Sequence, residues 1–137
     1  MSNRDWQRPL FLSLTVLAGA VVCLLFVIAV FGLLTLYQAA DHPDAVLISD
    51  YRQYRWMPVL HFRRDTSYRA PNEFPELYHW YSRRFELGPE VRAESACILM
   101  QRAGRVLLLE HATSVMLCDA TDTRLIYVTR TFTLRYR

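Results

Sequence analysis

From Pro9 to Ala40 the chain carries no charged residue, and from Leu10 to Tyr37 it reads LFLSLTVLAGAVVCLLFVIAVFGLLTLY. These 28 residues would be apolar on every side of a helix. Such a helix is ~42 Å long at 1.5 Å per residue. A bilayer core of about 30 Å needs about 20 apolar helical residues. The run therefore predicts a transmembrane helix over 10–37, tilted or with its ends in the headgroup region. Trp6 and Arg8 on one side and Tyr37 on the other suit interfacial anchoring. A soluble core helix is disfavoured, because too little chain remains to cover an element that is apolar all round.

A cleaved signal peptide fits less well, since its apolar region is about 7–15 residues long. Ala18-Gly19-Ala20 has suitable cleavage chemistry, but 17 further residues of the apolar run follow it. A cut at Gln38-Ala39-Ala40 would come after an unusually long apolar region. Cys23 follows Val21-Val22 and lacks the small residues that precede a lipidated cysteine. The reading is an uncleaved signal anchor. Arg4 and Arg8 precede the span, whereas Asp41, Asp44 and Asp50 follow it, with no arginine before Arg52. This asymmetry predicts a cell-membrane protein with a cytoplasmic N-terminus and an extracytoplasmic C-terminal domain.

Beyond the span the pattern changes. In NEFPELYHWYSRRFELGP, Phe74, Leu77, Tyr78, Tyr81 and Phe85 share one helical face. Pro75 suits the first turn. Glu73 and Glu76 suit its positive end, and Gly88-Pro89 suit its termination. The expected helix runs from Phe74 to Leu87, with Trp80, Arg84 and Leu87 off the apolar face. Ser95–Arg102, Val106–Cys118 and Arg124–Tyr136 read as strands, with turns at Ala103-Gly104 and Asp119–Thr123. In the last strand Ile126, Val128, Arg130, Phe132, Leu134 and Tyr136 alternate with Tyr127, Thr129, Thr131, Thr133 and Arg135. Val46–Ser49 or Thr66–Arg69 would add an edge strand. The expected fold is a single transmembrane helix followed by a small α+β domain. One main helix packs on an antiparallel sheet of three to four strands. The organisation is a tail over 1–9, an anchor over 10–37, a membrane-proximal basic and aromatic segment over 38–70, and the α+β domain over 71–137.

Composition refines this picture. The chain has 137 residues, 53% of them hydrophobic, and a formal charge of +3. Long intrinsic disorder is excluded by that hydrophobic content. All 16 basic residues are arginine, so no lysine is present for a Schiff base or a phosphate loop. Charge falls in blocks: residues 41–50 are net −3 and residues 51–69 net +4. The basic block interleaves Arg52, Arg55, Arg63, Arg64 and Arg69 with Tyr51, Tyr54, Trp56, Phe62 and Tyr68. That mixture suits nucleic-acid stacking or anionic headgroups. The expected topology places it outside the cell, which favours lipid or protein contact and disfavours nucleic acid. Pairing with acids of the same domain is the bland alternative. Arg52, Arg55, Trp56, Arg63, Arg64 and Trp80 are the candidate contact residues.

Catalytic and metal signatures are absent from the sequence. Cys97 and Cys118 are a possible disulfide, but a turn at Ala103-Gly104 places Cys97 opposite Glu110. Cys118 then lies roughly 27 Å further along a straight strand. A bend near Ala112–Ser114 would be needed to close the bond. No CxxC pair supports a metal ribbon. Glu76 and His79 have di-iron spacing but lack a second such motif. Glu110 and His111 are strand neighbours on opposite faces. There is no G-x-S-x-G, and Gly19, Gly32, Gly88 and Gly104 stand alone. Glu90 and Glu94 form a common i, i+4 pair. Thr15, Gly19 and Cys23 form a small-residue stripe of the kind any anchor carries. No cofactor, no metal and no enzymatic activity are expected.

The stretch YRAPNEFPELYHWYSRRFELG from Tyr68 to Gly88, followed by Ala96-Cys97-Ile98-Leu99-Met100, resembles small uncharacterised membrane-anchored bacterial envelope proteins. The resemblance covers roughly the C-terminal half and implies a helix-plus-antiparallel-sheet domain. It brings no catalytic residues. The expected function is a non-enzymatic single-pass protein displaying an interaction domain at the outer membrane surface. Its expected partners are membrane lipid and another envelope or membrane protein, in the narrower form as an accessory subunit of a membrane complex. The alternative is a ligand-binding or sensory envelope module with a pocket between helix and sheet, lined by Tyr78, Tyr81 and Phe85.

Overall fold

A computed structural model describes residues 7–37, 40–94, 96–106 and 108–135. Residues 1–6 of the expected tail, with Ser95 and Tyr136 of the expected strands, lie outside the described residues. The chain forms two units, 1–37 and 38–137. In the first, helix α1 runs Gln7–Tyr37. Its segment Ser13–Leu34 is long and apolar enough to cross a membrane, and nearly all of its side chains are exposed.

Among the described residues the second unit is a six-stranded antiparallel sheet with one helix, two strands more than the upper expectation. The strands are β1 (Val46–Arg55), β2 (Leu60–Ala70), β3 (Glu90–Glu94), β4 (Cys97–Val106), β5 (Leu109–Asp119) and β6 (Arg124–Leu134). Their spatial order is β1-β2-β6-β5-β4-β3. The segment over 38–70, expected as a separate membrane-proximal stretch, instead supplies β1 and β2 of the same sheet. These strands escape a periodicity reading for a physical reason. β1 is an edge strand exposed throughout, so it has no buried face to impose alternation. β2 lies inside the sheet, yet its inward positions alternate Phe62, Arg64, Thr66 and Tyr68, half of them polar.

Helix α2 runs Phe74–Phe85, with Pro75 in its first turn. Leu77, Tyr81 and Phe85 are buried, and Phe74, Tyr78 and Trp80 are partly buried against the same core. The left-handed residue that ends α2 is Glu86, at φ 48°, not Gly88. Gly88 answers a different need. Its amide donates to the Gln101 carbonyl at 3.3 Å, and a side chain there would press on that oxygen. The helix covers Tyr68, Ala70, Met100, Val115, Leu117, Ile126 and Val128. At 12 residues it is ~18 Å long, about half the ~35 Å of an eleven-residue strand. The rest of that inner face lies beyond its end. Tyr81 is wholly buried and its hydroxyl donates to the Ala40 carbonyl at 2.9 Å. Tyr81 and Phe85, two of the residues named for the alternative ligand pocket, are buried between helix and sheet, with Tyr78 partly buried beside them.

The β4–β5 hairpin corrects a second expectation. Ala103 and Gly104 lie within β4, and the chain reverses between Val106 and Leu109. Gly104 sits opposite His111, whose ring lies across it; a Cβ at Gly104 would come within 2.6 Å of Nε2. A glycine that marks a close approach reads in sequence like a glycine that marks a turn. Moving the reversal changes the register, so Cys97 stands opposite Cys118 and the two form a disulfide without any bend.

Candidate interaction surface

Strand register sorts the candidate residues by face. Residues directly opposite one another across a sheet share a side. Arg52 of β1, Arg64 of β2 and Arg130 of β6 stand in one row, continued by Thr113 of β5 and Arg102 of β4. This row crosses the inner face where the helix ends. Like charges placed directly opposite repel, and acids relieve the outer members. Asp50 accepts from Arg64 Nε and Nη2 at 3.0 Å each and from Arg52 Nη2 at 2.9 Å. Those two guanidinium groups, Arg64 first, hold the Asp50 carboxyl down to about 2. Glu86 at the end of α2 pairs with Arg102.

Arg130 is 5% exposed, with its guanidinium 5.0 Å from the centroid of the Phe85 ring. Burial, and then the positive charge of Arg64, push it down to about 10, so it remains cationic at neutral pH. Beyond the row lies an aromatic cluster. Phe62 meets Tyr54 at 5.4 Å, Trp56 at 5.8 Å and Phe132 at 6.3 Å between ring centroids. The first two contacts are edge-on, the favoured geometry for aromatic pairs.

The six candidate contact residues do not form one patch. Arg52 and Arg64 face inward and share Asp50. Arg63 faces the other side and pairs with Asp65 at 2.8 Å. Trp80 is on α2, edge-on to His42 at 5.1 Å and to Tyr81 at 4.7 Å, which makes it largely a packing residue. Arg55 and Trp56 remain at the exposed β1–β2 end, with Trp56 at 67% and Met57 at 81% exposure. They are joined along β1 by exposed Val46, Leu47, Ile48, Tyr51 and Tyr54. The sequence reading reaches only the start of this edge, as the optional edge strand Val46–Ser49, and not its continuation to Arg55. Its available signal was the β-branched and aromatic content of VLISDYRQYRW itself.

A separate hollow of about 360 Å³ is lined by Ala103, Gly104, Arg105, Glu110, His111, Ala112, Thr131 and Thr133. The hollow exists because Ala103, Ala112 and Gly104 carry little or no side chain to fill it. Glu110 at the rim is 3.3 Å from Arg135 and 4.0 Å from Arg105. Nδ1 of His111 is buried without a hydrogen-bond partner. Among the described residues no group of three or more His, Cys, Asp or Glu side chains is arranged to hold a metal ion. No protein-family model, no curated protein and no solved structure matches this chain.

Proposed function

We propose that this chain is a non-enzymatic, single-pass membrane protein. It displays its sheet domain outside the cell and contacts another envelope or membrane protein through β1 and the β1–β2 end. The observation that carries this reading is the ten-residue edge strand, exposed throughout and rich in large apolar side chains, in a chain that also holds a span-length apolar helix. Globular domains blunt such edges unless something pairs with them. Arg4 and Arg8 before the apolar run and three aspartates after it support an outward domain. The Cys97–Cys118 pairing supports an oxidising compartment. In the narrower form the protein is an accessory subunit of a membrane complex.

The test uses the full chain in native membranes. Alkaline carbonate should leave it in the pellet, and protease added to spheroplasts should digest residues 41–137. A photoreactive residue in place of Trp56 should label a membrane protein. Extraction by carbonate, protection of the domain, or labelling of lipid alone would each overturn the corresponding part.

A second reading, a ligand-binding module, draws on the hollow at β4–β6. It predicts that a polar small molecule raises the melting temperature of the chain and that Glu110→Ala, on the face of the hollow, abolishes the shift.

A further inference from the structure

The free edge of β1 specifies its own complement. The sheet has two edges, β1 and β3. β3 is five residues long and reads EVRAE, short and charged as protected edges are. β1 is ten residues long and reads VLISDYRQYR, with a run of apolar residues at its start and aromatic residues toward its end.

We infer that two copies of this chain pair β1 to β1, antiparallel, about a two-fold axis through Tyr51. This deepens the function proposed above by naming the partner, and it rests on that reading in that both copies share one membrane. Antiparallel pairing centred on Tyr51 sets Asp50 of each copy opposite Arg52 of the other. It sets Ser49 opposite Gln53. Opposite charges directly across two strands stabilise the pair.

The alternatives are worse for stated reasons. A two-fold pairing must slip by two residues to keep each sheet face continuous. One such slip centres the pair on Asp50 against Asp50, and the other on Arg52 against Arg52. Either puts like charges directly opposite, which destabilises the pairing. Charge therefore disfavours both registers adjacent to the one centred on Tyr51. The β-bulge at Ile48, where β1 shifts against β2, limits the regular ladder to residues 49–53 and leaves the outer contacts to side chains. A shared bilayer raises the local concentration of copies, which favours a contact of this modest length.

The test is cysteine cross-linking of the full chain in membranes, in a Cys23→Ala background so that the anchor cannot contribute. Directly opposite residues on antiparallel strands lie about 4.5–5.5 Å apart at Cα, within the range a disulfide bridges. Tyr51→Cys should give a disulfide-linked homodimer on mild oxidation, lost on reduction. Tyr127→Cys, exposed on the central strand β6, should not. Ser49→Cys and Gln53→Cys should each stay monomeric alone and form a mixed dimer when co-expressed under different tags. A Tyr51→Cys chain that cross-links no better than Tyr127→Cys overturns the pairing. So does Gln53→Cys cross-linking to itself as well as Tyr51→Cys does, because the register would then be another one. Carbonate extraction of the same membranes separates the two ideas. A chain that stays in the pellet as a monomer refutes self-pairing and leaves membrane anchoring standing, whereas an extracted chain refutes the anchor.

Discussion

Reduction of the Cys97–Cys118 bond should lower the stability of the sheet domain by about 3 kcal/mol, a figure set by loop closure in the unfolded chain. The two cysteines are 21 residues apart. For a loop of that size the chain-entropy relation gives roughly 11 cal/mol/K, hence about 3 kcal/mol at 25 °C. A domain of this length shifts its midpoint by about 4–8 °C per kcal/mol, so the expected fall in Tm is roughly 12–24 °C. The assay is thermal unfolding of the detergent-solubilised full chain, followed by near-ultraviolet circular dichroism. Oxidised protein, reduced protein and the Cys97→Ala/Cys118→Ala variant are compared. Alkylation before denaturation, read by mass, establishes which thiols are bonded. Reduction deletes no side-chain atom, so it isolates the constraint from any cavity the double variant creates. Bonded and reduced chains that melt within about 4 °C of each other would refute the reasoning, since the loop would then contribute under 1 kcal/mol.

Tyr81→Phe removes the hydroxyl that donates to the Ala40 carbonyl and leaves that acceptor buried. The expected loss is about 1–2 kcal/mol in urea unfolding, with the fold retained. Gly104→Val forces a side chain into the His111 ring and should cost about 1–3 kcal/mol, largely recovered in Gly104→Val/His111→Ala. Asp50 has its carboxyl lowered from 3.8 to about 2 by Arg64 and Arg52. A depressed folded-state value means its ion pairs stabilise fully above the unfolded value and are lost as pH falls from about 4 through 2. With solvent screening of these partly exposed groups, Asp50→Asn should cost about 1 kcal/mol at neutral pH and flatten the acid limb of the stability profile.

The elements with one apolar face were legible, whereas β1 and β2 showed only through the short alternatives Val46–Ser49 and Thr66–Arg69. The α2 stripe of Leu77, Tyr81 and Phe85 and the β6 alternation of Ile126, Val128, Arg130 and Phe132 follow from burial of one side, and all seven side chains are buried. β1 has no buried side, β3 is a short charged edge, and β2 carries arginine and threonine at inward positions. Each lacks the signal on which a periodicity argument depends. The hairpin register failed on one residue. Gly104 carries turn chemistry in sequence, whereas the backbone there makes room for a histidine ring. That error of a few residues separated Cys97 from Cys118. The candidate contact residues failed differently. A run of arginines and aromatics in sequence says nothing about which face each occupies, and alternation sends Arg63 and Arg64 to opposite sides.

The row of Arg52, Arg64 and Arg130 explains why exposed apolar surface gathers where it does. On one side of the row the inner face is mostly apolar and α2 covers it, ending in Phe85 against the Arg130 guanidinium. On the other side Phe62 and Phe132 continue the face past the end of the helix, and Tyr54 and Trp56 lean over Phe62 from the edge. A twelve-residue helix cannot reach both halves, so the aromatic half has to be closed by side chains from β1 and from the turn that follows it. Those side chains have one face on Phe62 and the other on solvent. The edge strand is thereby committed twice, inward to a cluster the helix leaves open and outward to whatever pairs with its backbone. Polar replacement of Val46 to Ile48 would blunt the outward role while leaving the aromatic cluster intact. The edge can therefore be tested for pairing without dismantling the sheet that presents it.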